Sequence, residues 1–494
     1  MGPQITMNDR ELHNLLLAPL AARSDLTLQQ QLLQRFKQAI LNGVLSAGTR
    51  LPATRQLAAD LSVSRNTVTG VWAQLQAEGF IVSDRQGSHI SSIAQLPVAR
   101  RHDVSECAIA LSPRVAQLRS GHRILSQELA LRPGIPALAH FPLAQWRRTL
   151  NRVMQHSPQQ LLGYGDPLGE HSLREALAQH LAVARGVRCT AEQIVITEGA
   201  QQALTLCVSL LSQRGDIGWV EEPGYRGAKA AMRLGDMRIE PIAVDAQGLS
   251  PQSSDWQQRP PRLIYTTPTH QYPTGVVMSA PRRLALLAAA QQHQSWIIED
   301  DYDSDFRYSG EPIAAMQGMM QPTPVIYVGS FSKTLFPALR IGFMVLPPQL
   351  VPLLRPALHE LLRGGNRPEQ IALARFLSSG DYGRHLSKMR RLYRQRQGYL
   401  REALQLALGA QVRLLGGDCG MHLVLSLSDE QQDVALVDHL IPRGYAPGAL
   451  SSFYIGQEKQ QGLVLGYGNT SSSQIIAGVA QIAQCVTVIE RGRT

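Results

Sequence analysis

The sequence VIYVGSFSKTL occupies residues 325–335 and organises the larger part of this chain. Its first four residues are apolar or aromatic, which predicts a short buried strand over 325–328. Gly329 ends that run, and Ser330, Ser332 and Lys333 follow within one tight turn. Such a turn can hold an anionic ligand through its hydroxyl groups while the lysine amine reacts with the same ligand.

Five further short apolar runs surround this turn in the sequence and are separated by helix-length stretches. They cover residues 193–197, 217–220, 263–267, 296–299 and 343–346. Strands that alternate with helices predict an α/β domain built on a mainly parallel sheet. Ligands bind such sheets beyond the carboxyl ends of the strands, so the residues after each run are the candidates for a site.

Acidic residues follow one of these runs, in the sequence WIIEDDY at residues 296–302. A buried acid needs a partner, and the protonated ring nitrogen of pyridoxal 5′-phosphate would supply one. That cofactor also requires a lysine for its Schiff base, which we assign to Lys333. Strand alternation places Asp300 and Tyr302 on one side, so we assign Asp300 to the ring nitrogen and Tyr302 to the phenolic oxygen. Asp301 points the other way and remains the competing choice for the ring nitrogen.

Other strand ends supply groups for the cofactor phosphate and for the face of the ring. Two hydroxyls and an arginine can hold the phosphate, three backbone amides that open a helix form an anion site, and a tyrosine can stack on the ring. These residues are Ser330, Ser332, Arg340, Gly199, Ala200, Gln201 and Tyr225.

The front of the chain, residues 27–91, has a different organisation. Helices are predicted over 28–41, 54–61 and 65–78, and the third is capped by Ser64. A hairpin follows over 80–90, with its turn at 84–87. This order of helix, turn, helix and hairpin is typical of a winged helix-turn-helix module.

The second helix of such a motif places its first turn in the major groove of DNA. Here that turn carries a guanidinium, an amide and a hydroxyl, which suit guanine, adenine and phosphate groups. The residues assigned to DNA are Arg50, Arg55, Ser64, Arg65, Asn66, Thr67 and Gly87. The alternative is that they are solvated polar residues of a small helical interaction module.

The front module resembles the GntR family of bacterial regulators. The matching segments are GTRLP at 48–52, TRQL at 54–57, VSRNTV at 63–68, LQAEGF at 75–80 and QGS at 86–88. From residue 131 to about 468 the chain resembles fold type I aminotransferases, and the two parts together resemble the MocR/GabR subfamily. The resemblance implies a head-to-tail homodimer in which Tyr164 reaches the cofactor phosphate of the partner subunit. It also implies double-stranded DNA as a partner and supports the roles given to Asp300, Tyr302, Lys333 and Arg340.

The sequence departs from this resemblance where an amino-acid substrate would bind. Amino-acid-binding members carry an arginine near the C-terminus, and Val464 occupies the matching place. A second basic residue, sometimes found two positions after the stacking tyrosine, is Gly227 here. A carboxylate without its arginine loses a charge-assisted pair, so we expect residual transaminase activity at most.

Composition and length bound these assignments. The 494 residues divide into an extension at 1–26 with an amphipathic piece at 12–20, a DNA-binding module at 27–91, a linker at 92–125 and a cofactor domain at 126–494. The net charge is +10, and residues 1–125 hold 13 basic and 8 acidic residues, half of that excess. The five cysteines include no CxxC pair, which indicates neither a metal site nor a disulfide framework and favours the cytoplasm. No run of 18 apolar residues occurs, so no membrane partner is expected.

Three functions compete at this point. The first is a transcription regulator whose effector is pyridoxal 5′-phosphate or its adduct with a small amine or amino acid, controlling genes of vitamin B6 or of amino-acid and amine metabolism. The second is a working aminotransferase with an incidental front module. The third is a regulator whose large domain has lost the cofactor and only dimerises. The sequence leaves open the operator, the effector and the choice between activation and repression.

Overall fold

A computed structural model describes residues 20, 26–85, 87–92, 112–118, 129–156, 158–308, 310, 313–409, 413–428 and 432–491. Contacts divide the chain into two compact units, Met1–Ala110 and Leu111–Thr494. The predicted amphipathic piece at 12–20, apart from its last residue, and most of the predicted linker lie outside the described residues, as does Gln86.

The first unit contains three helices and a hairpin. They are α1 (Leu28–Leu41), α2 (Thr54–Asp60), α3 (Arg65–Ala77), β1 (Ile81–Asp84) and β2 (Gly87–Ile90). Thr27 and Gln30 form a capping box that begins α1, because each side chain satisfies a backbone amide of the other. The rings of Phe36 and Trp72 pack edge to face at 4.9 Å in the core. The predicted winged helix-turn-helix order is confirmed, with helix ends within one residue.

The second unit is built on an eight-stranded sheet with the order β3-β10-β9-β8-β7-β4-β5-β6. These strands are β3 (Ile194–Thr197), β4 (Ile217–Glu222), β5 (Arg238–Asp245), β6 (Gly248–Leu249), β7 (Leu263–Thr266), β8 (Trp296–Asp301), β9 (Val325–Ser330) and β10 (Gly342–Val345). Five neighbouring strands, in the spatial order β9-β8-β7-β4-β5, pair in parallel. Strand β10 runs antiparallel to both of its neighbours, β3 and β9. The predicted mainly parallel sheet is therefore confirmed.

Helices cover this sheet and connect its strands. They are α4 (Pro113–Leu118), α5 (Leu143–Gln155), α6 (Pro158–Leu162), α7 (His171–Arg185), α8 (Ala200–Leu211), α9 (Arg226–Leu234), α10 (Ser253–Gln258), α11 (Ala280–Gln292), α12 (Val351–Leu361), α13 (Arg367–Ser378), α14 (Asp381–Leu408), α15 (Asp433–Leu440) and α16 (Ser472–Arg491). Short 3₁₀ segments lie at Leu138–His140, Ala191–Gln193, Ser304–Phe306, Met316–Gly318, Pro337–Leu339, Ile441–Arg443 and Leu450–Phe453. In the described part of the chain, none of these helices combines the length and the apolar run that a bilayer crossing requires.

A second, smaller sheet lies within the same unit and was not predicted. It is antiparallel, has the order β11-β12-β14-β13 and contains β11 (Leu414–Leu415), β12 (His422–Ser426), β13 (Gly448–Ala449) and β14 (Gly462–Gly466). Two of its strands have only two residues each, too few to show a period in sequence.

The parallel strands of the large sheet end at one edge. Glu222, Thr266, Asp301 and Ser330 close β4, β7, β8 and β9, and the apolar residues before them are almost fully buried. The sheet therefore brings together groups that lie up to about a hundred residues apart in sequence, at the edge where such sheets bind ligands.

Candidate cofactor and DNA sites

Asp300 lies near the end of β8 and is a buried carboxylate with only part of its hydrogen-bonding capacity used. Its Oδ2 accepts a hydrogen bond of 2.7 Å from the hydroxyl of Tyr265, whereas Oδ1 has no partner among the described residues. Burial raises the pKa of Asp300 to about 7, although the hydrogen bond from Tyr265 opposes that rise. A cationic donor placed at Oδ1 would relieve this cost, and the protonated ring nitrogen of the cofactor is such a donor.

Asp301, the competing choice, already has cationic and phenolic partners. Its Oδ2 lies 2.7 Å from Nε of Arg185 and 2.5 Å from the hydroxyl of Tyr327. Burial alone would raise the pKa of Asp301, but the guanidinium of Arg185 holds it below its ordinary value. Asp301 is already paired with a cation, whereas Asp300 has a buried oxygen without a partner among the described residues, and this contrast favours Asp300 as the partner of the ring nitrogen.

Lys333 follows β9 and points into the same region. Its amine donates a hydrogen bond of 2.6 Å to the carbonyl oxygen of Gly134. Burial lowers the pKa of Lys333, and the negative charges of Asp303 and Asp300 partly offset that change. A lowered pKa leaves more of the amine in its neutral, nucleophilic form, which Schiff-base formation requires.

The groups predicted for the phosphate converge from three elements. Ser330 donates to Ser332 at 3.0 Å between their hydroxyl oxygens, so the two hydroxyls lie side by side. Arg340 is exposed, has a left-handed backbone with φ of 51°, and donates to the carbonyl oxygen of Glu198 at 2.5 Å. Its guanidinium lies 3.5 Å from where a Cβ at Gly199 would stand, so Arg340 faces the N-terminus of α8.

That N-terminus begins with the predicted amide donors. Gly199 is the N-cap of α8 with φ of 89°, a conformation that glycine adopts without strain, and Ala200 and Gln201 form the first turn. The first amides of a helix have no acceptor within the helix, so they and Arg340 present positive charge to one point. The side chain of Gln201 is engaged elsewhere, since it donates to the carbonyl oxygen of Gly227 at 3.0 Å.

Tyr225 precedes α9 and belongs to a group of aromatic rings beside Asp300. Its ring is stacked with Tyr265, with centroids 6.2 Å apart and planes inclined by 29°. Burial raises the pKa of Tyr225 to about 12, the charge of Asp300 adds to that rise and Arg340 opposes it. The ring of Tyr225 therefore lies near both Asp300 and Arg340, as expected of the residue predicted to stack on the cofactor.

A polar cluster that the sequence did not reveal surrounds Tyr302. Its hydroxyl lies 3.0 Å from Nδ1 of His270, and the same nitrogen lies 2.9 Å from Oδ1 of Asp303. The ring of His422 lies 4.9 Å from that of His270, and its Nε2 lies 2.9 Å from the carbonyl oxygen of Pro273. Burial and the neighbouring His270 lower the pKa of His422 to about 3.

His270, Asp303 and His422 place possible metal-ligating atoms within 4.8 Å of one another. Hydrogen bonds already engage one nitrogen of each imidazole and one oxygen of the carboxylate, so we treat the cluster as a hydrogen-bonded network. Nothing in the segment THQYPTG at 269–275 indicates which later residue His270 contacts.

At the two positions where a substrate-binding arginine was expected, 464 and 227, the surroundings leave no room for an arginine side chain. Val464 on β14 is fully buried and packs with Val424, Leu450 and Phe453. At Gly227 an added Cβ would overlap the ring of Tyr225 and the side-chain oxygen of Gln201. Both positions therefore contribute apolar surface or backbone rather than a cation.

In the first unit, the predicted DNA-facing residues cluster at the start of α3 and beside the hairpin. Ser64 caps α3 by accepting a 3.1 Å hydrogen bond from the amide of Thr67, which confirms the predicted cap. Arg65 and Asn66 are exposed in the same turn, while the hydroxyl of Thr67 lies 2.8 Å from that of Ser64. Arg55 is also exposed, at the start of α2.

Gly87 opens β2 with φ of 127°, and the side chain of Arg50 lies 3.5 Å from where its Cβ would stand. Arg50 is exposed and forms an isolated bridge with His89. Exposed arginines therefore lie both beside the wing and at the starts of the helices, where they are available for phosphate contacts.

Comparison with known proteins identifies both parts of the chain. Residues 28–90 match the family of bacterial regulatory proteins named gntR, and residues 129–462 match aminotransferase class I and II. The probable rhizopine catabolism regulatory protein MocR of Rhizobium meliloti is 36% identical over 94% of this chain and 95% of its own length. The pyridoxine biosynthesis regulator PdxR of Corynebacterium glutamicum is 30% identical over 94% of this chain and 96% of its own.

A solved structure extends the comparison to three dimensions. Kynurenine aminotransferase of Pyrococcus horikoshii, determined in complex with PMP, covers 78% of this chain and 97% of its own, with 27% identity and a TM-score of 0.68. The second unit thus has the fold of a type I aminotransferase, and its cofactor is pyridoxal 5′-phosphate, as predicted.

Proposed function

Because the chain belongs to the MocR/GabR subfamily of GntR-family transcription regulators, we propose that its DNA binding responds to pyridoxal 5′-phosphate or to an adduct of that cofactor with an amine or amino acid. The observation that carries this proposal is the buried Asp300, which has one oxygen without a partner among the described residues and lies close enough to Lys333 for the charge of each to affect the pKa of the other. Acids whose pKa is raised by burial, to about 7 in this case, cluster at functional sites, which favours a cofactor site over a domain kept only for dimerisation.

The chain supplies the holding groups and the cofactor supplies an aldehyde and an electron-accepting ring. Lys333 would supply the amine for the Schiff base, Asp300 would neutralise the ring nitrogen and Tyr302 would donate to the phenolic oxygen. Tyr225 covers the ring. The phosphate is held by Ser330, Ser332, Arg340 and the amides of Gly199, Ala200 and Gln201.

The residues around the proposed cofactor site favour sensing over transamination. A substrate α-carboxylate would meet Val464 and its apolar neighbours instead of an arginine, and the lost charge-assisted bond amounts to about 1.5–3 kcal/mol. An effector without a bound α-carboxylate, including the cofactor itself, escapes that penalty.

The protein acts as a head-to-tail homodimer in this proposal. Tyr164 is 93% exposed, and the loop that carries it continues to Pro167, which lines a cavity of about 250 Å³ together with Arg340. A tyrosine with so exposed a ring is available to the cofactor of a second copy. The proposed division of the chain is a DNA-binding module at 27–91, a linker at 92–125 and a cofactor domain at 126–494.

In the first unit, Arg65, Asn66 and Thr67 read bases, and Arg50, Arg55, Ser64 and Gly87 position the module on the phosphate backbone. The regulated genes are those of vitamin B6 or of amino-acid and amine metabolism, which agrees with the names of the two relatives.

The decisive experiment is DNA footprinting of the promoter region next to the gene that encodes this protein, with and without pyridoxal 5′-phosphate. We expect the cofactor to change the footprint of the natural protein and to leave that of Lys333→Ala unchanged. A footprint that is the same in all four samples would contradict a cofactor response. Rapid loss of the cofactor absorbance on mixing with common amino acids would instead support the aminotransferase alternative.

A further inference from the structure

Buried contacts hold the imidazole ring of His270 in one orientation. Both His270 and Asp303 are 2% exposed, and their side chains meet at 2.9 Å between Nδ1 and Oδ1. The imidazole lies nearly parallel to the ring of Tyr302, inclined by 24° with centroids 5.8 Å apart. The backbone leaves room for it, because a Cβ at Gly420 would overlap both Cε1 of His270 and Oδ2 of Asp303.

The hydrogen bonds at Nδ1 determine where the protons lie. An ionised carboxylate can only accept, so Nδ1 of His270 carries the hydrogen that Asp303 receives. The hydroxyl oxygen of Tyr302, 3.0 Å from the same nitrogen, can then only accept from it in a bifurcated bond. The hydroxyl hydrogen of Tyr302 is therefore not used by the histidine and points elsewhere.

We propose that His270, held by Asp303, is a positioning residue that turns the hydroxyl hydrogen of Tyr302 toward the phenolic oxygen of the bound cofactor. This inference rests on the proposed role of Tyr302 as the donor to that oxygen. Without His270, the hydroxyl of Tyr302 is free to rotate and to donate to Asp303 or to water instead.

The consequence is a measurable property of the cofactor linked to Lys333. A hydrogen bond donated to the phenolate stabilises its negative charge and weakens its hold on the proton of the Schiff-base nitrogen. The pKa of that nitrogen is therefore lower with the donor in place. Losing this hydrogen bond to the charged phenolate oxygen should raise the pKa of the Schiff-base nitrogen by about one unit.

Other titratable groups also face the cluster, and each stays in place in the experiment. Besides Tyr302 and Asp303 they are His422, whose ring faces His270, Tyr272, which packs on Tyr302 and His422, Cys419, whose thiol contacts the backbone of Asp303, and Lys333, which senses the charge of Asp303. A substitution confined to His270 leaves all of these neighbouring groups in place, so the change that it causes reports on His270 alone.

The test is a pH titration of cofactor absorbance in the full-length holo-protein and four variants. His270→Phe keeps an aromatic ring but has no N–H group, whereas His270→Asn keeps an N–H group near the position of Nδ1. Tyr302→Phe removes the donor itself, and the double variant His270→Phe/Tyr302→Phe tests whether the two act together. If His270→Phe does not fold, His270→Leu replaces it.

We expect the pKa to rise by about one unit in His270→Phe, to stay near the natural value in His270→Asn, and to rise no further in the double variant than in Tyr302→Phe alone. An unchanged pKa in His270→Phe, beside a raised one in Tyr302→Phe, would overturn the inference and leave the cofactor site intact. Additive shifts in the double variant would overturn it too. A natural protein that never becomes coloured with pyridoxal 5′-phosphate would overturn the proposed function and this inference together.

Discussion

Replacing Asp300 by asparagine is expected to act in opposite directions on the empty and the cofactor-bound protein. In the empty protein the carboxylate is buried, accepts from Tyr265 through Oδ2 and has no described partner at Oδ1. With the cofactor bound, the same oxygen would face a cation. This one substitution therefore tests whether Asp300 serves cofactor binding or the stability of the fold.

The magnitude follows from the pKa of Asp300, which is about 7 instead of 3.8. A difference of about three units corresponds to roughly 4 kcal/mol. Between these two values the folded protein holds a proton that the unfolded chain releases, so the stability of the empty protein falls as the pH rises through that window. Asparagine has no such proton, so at pH 8 we expect Asp300→Asn to stabilise the empty protein by up to about 4 kcal/mol, and at pH 4 by little.

The effect on the cofactor has the opposite sign. An amide cannot form the charge-assisted hydrogen bond with a protonated ring nitrogen, and such bonds contribute about 1.5–3 kcal/mol. The dissociation constant of pyridoxal 5′-phosphate should therefore rise by about 10- to 150-fold. Urea unfolding of the empty protein at pH 4 and pH 8 measures the first effect, and titration of the cofactor absorbance measures the second.

The matched control is Asp301→Asn, one residue away and equally buried. It leaves Arg185 without its carboxylate, so it should cost about 3–5 kcal/mol of stability with or without cofactor. If Asp301→Asn lost the cofactor and Asp300→Asn kept it, the two acids would have exchanged roles. If Asp300→Asn were no more stable than the natural protein at pH 8, the argument from burial would be wrong.

Four further substitutions test other parts of the account. Lys333→Ala should abolish the yellow colour and the borohydride-trapped adduct, because no other amine is proposed for the Schiff base; a coloured variant would contradict that assignment. Arg65→Ala should weaken operator binding by about 1–3 kcal/mol and relax base preference at one position, whereas an unchanged affinity in a gel-shift assay would remove Arg65 from the interface. Tyr164→Ala should leave thermal unfolding of the empty protein unchanged, because the ring is 93% exposed, but should weaken cofactor binding in the dimer; an unaltered cofactor affinity would refute the contact between subunits. Arg185→Met should destabilise the empty protein by about 3–5 kcal/mol by leaving Asp301 buried and unpaired, and a variant as stable as the natural protein in urea would show that the pair contributes nothing.

Local patterns predicted the secondary structure well where the signal lies within one element. The helix at 28–41 was predicted with its observed bounds, because its apolar residues recur at helical spacing and Asn42-Gly43 follows it. The strand β5 was missed although it has eight residues, since polar residues and a proline interrupt its apolar pattern. The antiparallel direction of β10 also lay beyond reach, because direction depends on which strands pair and not on local composition.

The sequence by itself determined that a hydroxyl-containing turn leads to Lys333, that two aspartates directly precede Tyr302, and that a helix-turn-helix precedes both, because these features depend on neighbours a few residues apart. Only the tertiary structure distinguishes the surroundings of Asp300 from those of Asp301. Their partners, Tyr265 for one and Arg185 with Tyr327 for the other, come from other strands and a helix up to 116 residues away. The pairing of His270 with Asp303 across 33 residues has the same origin. Burial and long-range contacts set the charge of a side chain, and neither is encoded in the residues beside it.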